Sequence, residues 1–245
     1  MRWERQFDMI KKFQDYEIAL VKENENLYPK GLLNISGRPA LLYYKGDIEI
    51  INQHKNIAVV GTRKASEKGQ RAAYEAGQLV AEKGINLVNG LALGCDAAAI
   101  KGALNSGGKC IAIMPCGLEQ VQPKSHYELA EEILAKGGCI LSEYPVGTSV
   151  QKYQYVARDR LQSGISQGVI VIEAEEKSGT MHTADYALKQ YKRIACYYNE
   201  LIEHSSGNRL LETNEKVQVL KTKEDERKFI DYIINDDIYV QMTLF

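Results

Sequence analysis

Residues 57–69 read Ile57-Ala-Val-Val-Gly-Thr-Arg-Lys-Ala-Ser-Glu-Lys-Gly69, four apolar residues running into a glycine and then into polar, charged sequence. The apolar run is short and wholly buried in character, as in the strands of a parallel sheet covered on both faces. Beyond it, Ala72, Ala73, Ala76, Leu79 and Val80 recur at helical spacing, with Ser66 placed to cap the helix and Gly84 placed to end it. A strand that passes through a glycine turn into an amphipathic helix is half of a βαβ unit.

The same phrase recurs along the chain. Ile85–Val88, Cys110–Met114, Cys139–Leu141, Val169–Ile172, Ile194–Tyr197 and Val217–Leu220 follow Ile57–Val60, with consecutive starts 28, 25, 29, 30, 25 and 23 residues apart. Each interval fits one strand, one helix and two loops. Residues 94–106, 126–136, 157–166 and 181–191 read as the further helices. Alternating β and α elements predict right-handed crossovers and a doubly wound, mostly parallel α/β sheet, with ligands held beyond the C-terminal ends of the strands. Three parts are expected: an N-terminal helical segment over 1–26 (amphipathic over residues 4–22), the α/β domain over 27–221, and a C-terminal helix and tail over 222–245. In the last, Thr222 and Asp225 form a capping-box pair. The strand-like Ala40–Tyr44 precedes the first repeat.

Three strand-to-helix loops have the composition of anion sites. In the first, Gly61 lets the backbone approach a ligand, Thr62, Arg63 and Lys64 follow, and Ser66 opens a helix whose free N–H groups favour an anion. The second runs Asn89-Gly-Leu-Ala-Leu-Gly-Cys-Asp96, with Gly90 and Gly94 flanking the turn. The third, Glu173-Ala-Glu-Glu-Lys-Ser-Gly-Thr-Met-His-Thr183, supplies Lys177, Ser178, Gly179 and Thr180 as a charge, two hydroxyls and a flexible backbone. Between them Tyr153-Gln-Tyr-Val-Ala-Arg-Asp-Arg160 offers Tyr155 for stacking on a base and Arg158 and Arg160 for phosphates. Each loop also has a plain reading as a close turn, and each arginine as the partner of a nearby carboxylate.

Composition narrows the classes. The 245 residues carry a formal net charge of −1, so the sequence lacks the strong basicity of a protein that coats duplex DNA. A local site built from backbone N–H groups and a few cations remains open. No run reaches the ~18 apolar residues of a membrane span, and the N-terminus is too charged for a secretory signal, which predicts a cytoplasmic protein. The five cysteines are odd in number, without CxxC, and read as reduced thiols. The four histidines show no metal-binding spacing, and neither metal nor cofactor is expected.

In this order the loops resemble the DNA-processing protein A (DprA/Smf) family. The resemblance covers about residues 27–220. It runs through Tyr28-Pro29, Leu42-Tyr-Tyr-Lys-Gly46, Val60-Gly-Thr-Arg63, Gly90-Leu-Ala-Leu-Gly-Cys-Asp96, Ala112-Ile-Met-Pro-Cys-Gly-Leu118, Leu141-Ser-Glu-Tyr-Pro145, Arg158-Asp-Arg160 and Glu173-Ala-Glu-Glu-Lys-Ser-Gly-Thr180. It implies a Rossmann-like fold, single-stranded DNA binding, a homodimer, and loading of a RecA-type recombinase during natural transformation. The family usually has arginine where Leu93 stands, and reads F-P-x-R-N-R where this chain has Tyr155-Val-Ala-Arg-Asp-Arg160. A cation is thus replaced and an acid, Asp159, gained. No winged-helix domain follows residue 220 in this sequence, so a divergent, minimal member is expected.

Two other functions are weighed against a non-enzymatic DNA binder. The related LOG-like phosphoribohydrolases carry a glutamate shortly after the threonine of their P-G-G-x-G-T loop, whereas Thr180 here is followed by Met181, His182 and Thr183. A nucleotide sensor would use the same pocket. Finally, Gln241-Met-Thr-Leu-Phe245 resembles the short peptides that dock on the replication sliding clamp, with Gln241, Leu244 and Phe245 as the contacts of an extended tail.

Overall fold

The computed structural model describes residues 16–242, with side chains through Asn235. One sheet is built from β1 (Ala19–Lys22), β2 (Leu41–Gly46), β3 (Asn56–Val60), β4 (Asn86–Asn89), β5 (Cys110–Met114), β6 (Cys139–Ser142), β7 (Gly168–Val171), β8 (Arg193–Tyr197) and β9 (Val217–Leu220). Their spatial order is β1-β2-β6-β5-β4-β3-β7-β8-β9. Strands β3 to β9 are mutually parallel; β2 joins β6, and β1 joins β2, antiparallel. The helices are α1 (Ile50–Gln53), α2 (Glu67–Glu82), α3 (Cys95–Asn105), α4 (Tyr127–Ala135), α5 (Lys152–Ile165), α6 (Gly179–Lys189), α7 (Ser206–Glu212) and α8 (Lys223–Met242).

The inner parallel strands β3 to β7 are buried along their whole length because both faces of the sheet are covered there. In β3, Ile57 and Val59 enter one core with Ala73, Ala76 and Val80 of α2, Ile100 and Leu104 of α3, and Phe229, Ile230 and Ile233 of α8. Ala58 and Val60 enter the opposite core with Leu161 and Ile165 of α5 and Ala184 and Ala187 of α6. The chain winds outward from β3 through β4, β5 and β6, then returns through α5 to start again at β7 on the other side of β3. The switch point therefore lies between β3 and β7, where two helix-bearing loops diverge and leave a crevice. This is the doubly wound α/β architecture that the repeat predicts.

The seven apolar runs are all strands, shifted by no more than one residue at either end. Differences fall at the flanks. Ala19–Lys22, expected within a helix, is a strand, because Ile18-Ala-Leu-Val21 is a continuous apolar run that completes the open edge of β2 and buries Ile18 and Val21. Residues 4–15 of that expected helix lie outside the described residues. Helix α5 begins at Lys152, five residues early, since the Gln151 N–H donates to the Gln154 side chain and starts the helix there. Helix α8, expected to give way to an extended tail that includes Gln241, stays helical in its backbone through Met242. Thr222 and Asp225 do exchange capping bonds, Thr222 N to Asp225 Oδ2 at 2.9 Å and Asp225 N to Thr222 Oγ1 at 3.2 Å.

Candidate functional site

The crevice at the switch point is a cleft of about 530 Å³, within the range of small-ligand sites. Its floor and walls come from the β3–α2 loop (Gly61, Thr62, Arg63), the first turn of α6 (Gly179, Thr180, His182, Thr183, preceded by Ser178) and one face of α5 (Lys152, Tyr155, Arg158, Asp159, Gln162). The two loops are locked together: Thr62 N donates to Glu173 O at 2.7 Å, and Cys95 N donates to Thr62 O at 3.2 Å. Gly61 has no room for a side chain, since a Cβ there would stand 2.5 Å from Cys95 Sγ.

Helix α6 opens onto the cleft with its N–H groups unused by a side-chain cap, and Gly179 faces free space. Ser178 Oγ is buried there without a hydrogen-bond partner. An anion at this helix end gains both the free N–H groups and the dipole. Opposite it, the Tyr155 ring carries the Arg63 guanidinium at 4.6 Å from its centroid, a cation–π contact.

Beneath lies a buried charged cluster. Arg158 is 5% exposed and donates through Nη1 to Gly90 O at 2.5 Å and to Ile113 O at 2.7 Å. Its Nε faces Asp159 Oδ1 at 3.5 Å, and Gln162 Nε2 donates to the same oxygen at 2.7 Å. Burial pushes the Asp159 carboxyl up to about 7 against the opposing pull of Arg158. Asp96 is buried as well and accepts from Gly90 N and Ala92 N; its carboxyl is raised by desolvation, with Arg158 again opposing. Two carboxylates around one arginine leave little net charge below the cleft. The other cations on its lining are Arg63 and Lys152.

The expected residues divide accordingly. Gly61, Thr62, Arg63, Tyr155, Arg158, Ser178, Gly179 and Thr180 are brought to the one cleft. Lys64 and Gly94 line a shallow neighbouring depression with Arg63, Arg71, Leu93 and Lys101, and Lys177 is exposed on the β7–α6 loop. Ser66, in contrast, is occupied: its hydroxyl donates to Glu173 Oε1 at 2.8 Å and accepts from Gly69 N, while its own N–H donates to Glu173 Oε2. The buried Glu173 carboxylate thus already sits at the start of α2, where an outside anion was expected. Arg160 points away from the cleft and forks onto Glu143 at 2.9 and 2.5 Å. Two residues apart on a helix is a rotation of about 200°, so Arg158 and Arg160 cannot share a face. Gly90 makes room for the Arg158 guanidinium, 2.0 Å from where its Cβ would be, and Gly94, at φ 74°, for the Thr62 carbonyl, 2.3 Å from its own.

Gln162, His182, Thr183 and Lys152 also line the cleft and were not anticipated. The signal for Gln162 was present: Tyr155, Arg158, Asp159 and Gln162 follow i, i+3, i+4, i+7, one helical face, once the helix is extended back to Lys152. Asn208 was missed too. It fastens the loop after β7, donating to Ile172 O and Tyr197 O and accepting from Ala174 N. Among the described residues no group of His, Cys, Asp and Glu could hold a metal ion, and no helix is long and apolar enough to cross a membrane. The Gln241 backbone lies in the last turn of α8, and Leu244 and Phe245 fall outside the described residues.

A doubly wound sheet with an open, aromatic-walled cleft at its switch point defines an α/β protein of Rossmann-like type. The chain belongs to the DNA recombination-mediator protein A family, whose model matches residues 19–231. It is 29% identical over 217 residues to the DNA processing protein DprA of Bacillus subtilis, covering 89% of this chain and 73% of that protein. It is 35% identical over 184 residues to the protein Smf of Synechocystis, covering 74% of this chain but only 46% of the relative. The chain thus spans less than half of that longer relative. Among solved structures, DNA processing protein A from Helicobacter pylori, described for its single-stranded DNA binding mode, superposes with a TM-score of 0.79 at 29% identity, covering 90% of this chain and 97% of that one.

Proposed function

We propose that this protein binds single-stranded DNA in the switch-point cleft and acts, without catalysis, in DNA processing and recombination. The observation that carries the reading is the convergence of three features on one cleft: the open N-terminus of α6, the Arg63 guanidinium and the Tyr155 ring. A phosphate fits the first two and a base fits the third. Lys64, Arg71 and Lys101 in the adjoining depression extend a path for the next phosphates. The similarity to a Helicobacter pylori protein described for single-stranded DNA binding supports the same ligand. A protein of modest net charge that holds a strand locally suits a mediator that passes DNA to a RecA-type recombinase, as a homodimer in the cytoplasm.

The test is a fluorescence-anisotropy titration with a labelled single-stranded oligonucleotide, the same sequence as duplex, and AMP as competitor. Tight binding of the single strand, weak binding of the duplex and no displacement by AMP at micromolar levels is the expected result. Full displacement by AMP would make the protein a nucleotide sensor instead. The hydrolase alternative lacks a carboxylate in the first turn of α6, where Met181, His182 and Thr183 follow Thr180. Incubation with purine monophosphates is expected to release no free base. For the C-terminus, docking of Gln241, Leu244 and Phe245 on a sliding clamp is tested by calorimetry with the clamp, comparing the full chain with one ending at Val240. Loss of binding on truncation is expected.

A further inference from the structure

The cleft contains a group that phosphate binding does not use. Asp159 stands 6% exposed on the cleft-facing side of α5, clamped by Gln162 Nε2 at 2.7 Å and backed by Arg158 Nε at 3.5 Å, both on Oδ1. Arg158 is itself fixed by two backbone carbonyls. Oδ2 takes no hydrogen bond from any described residue. Gln162 also lines the cleft, and its Oε1 is buried without a partner. The cleft therefore presents a rigidly held carboxylate and a second orphaned acceptor, in surroundings where an unmade hydrogen bond is costly.

We propose that Asp159, positioned by Gln162 and Arg158, selects guanine among the bases that enter the cleft. An ionised carboxylate only accepts hydrogen bonds, so its ligand must bring donors. Of the four DNA bases, guanine alone presents two adjacent donors on one edge, N1–H and N2–H, one for the open Oδ2 and one for the unpartnered Gln162 Oε1. Adenine and cytosine offer one amino group beside acceptors, and thymine one imide N–H between two carbonyls. Tyr155 supplies a flat wall for a purine, and the open start of α6 supplies the phosphate position. The charged groups facing the carboxylate are Arg158 on its own helix, Asp96 on α3 and Arg63 on the β3–α2 loop; His182 and Lys152 also line the cleft. The carboxyl, at about 7, is mostly ionised at pH 8.

This inference rests on the cleft being the strand-binding site, and the experiment separates the two. Oligothymidylates carrying one central dG, dA or dC, or one ribonucleotide of the same base, are titrated at pH 8 against the full chain, Asp159→Asn and Arg63→Ala. The dG oligonucleotide is expected to bind about tenfold tighter than the others. Asp159→Asn, its fold checked by circular dichroism, should bring the dG-to-dT affinity ratio close to one. Equal affinity for all bases, with all of them weakened by Arg63→Ala, overturns guanine selection and leaves the cleft as the binding site. A gain from the ribonucleotide equal to that from dG also overturns it, because the carboxylate then reads a hydroxyl. If Arg63→Ala changes no affinity, the cleft reading fails and guanine selection fails with it.

Discussion

Asp159 is the residue whose chemistry is least comfortable in this fold. Its carboxyl titrates near 7 in the folded protein because burial outweighs the attraction of Arg158, against about 3.9 in an unfolded chain. The folded state therefore binds the proton more tightly. Stability associated with this group is full below about pH 4, falls as pH rises, and levels off above 7. Asp159→Asn, which cannot ionise, should gain relative to the parent across that window and remain more stable at pH 8, by on the order of 2–4 kcal/mol. Urea unfolding at pH 4 and pH 8 checks this, and an Asn variant that is less stable at pH 8 would mean the Arg158 pairing outweighs burial. The aromatic wall gives a second test at this scale. Tyr155→Ala should lose about 1–3 kcal/mol of single-strand affinity, while Tyr155→Phe keeps the stacking face and should be nearly silent. An alanine variant that folds and binds like the parent makes Tyr155 a packing residue only.

At the scale of elements, the two helices beside the first loop touch through glycines. A Cβ on Gly77 of α2 would stand 2.0 Å from Ala99 O, and one on Gly102 of α3 would stand 2.0 Å from Tyr74 O. Backbone cannot yield here as a flexible side chain can. Gly77→Ala should force α2 and α3 apart and cost about 1–3 kcal/mol despite the better helix propensity of alanine; thermal or urea unfolding reads the difference. Helices and strands with a clear period were legible beforehand: the seven apolar runs, the Ser66 cap of α2, and the Thr222–Asp225 start of α8. Elements fixed by partners far away were not. Ala19–Lys22 is a strand because β2 offers it an edge, and the short α7 has too few residues to show a period. The cleft was legible in its loops, which quote their glycines and cations in order. It was less legible in α5, because the phase of Arg158 against Arg160 depends on where that helix begins. Nor could spacing reveal that Glu173, 107 residues from Ser66, takes up the start of α2.

For the whole molecule, topology would let a chain of net charge −1 hold a polyanion, as the proposed function requires. The switch point gathers two loops and one helix face into a single cleft, so a few cations and one helix end act together at short range. Binding of this kind neutralises few phosphates and should show a shallow salt dependence. For single strands the slope of log K against log salt is about −0.7 per phosphate contacted. The most direct measurement is that slope for a labelled single-stranded oligonucleotide, taken with the parent chain, Arg63→Ala and Lys177→Ala. A slope corresponding to a few phosphates, with weaker binding and a slope flatter by about 0.7 in each variant, is the predicted result. Unchanged affinity and unchanged slope in Arg63→Ala would contradict strand binding at the switch-point cleft.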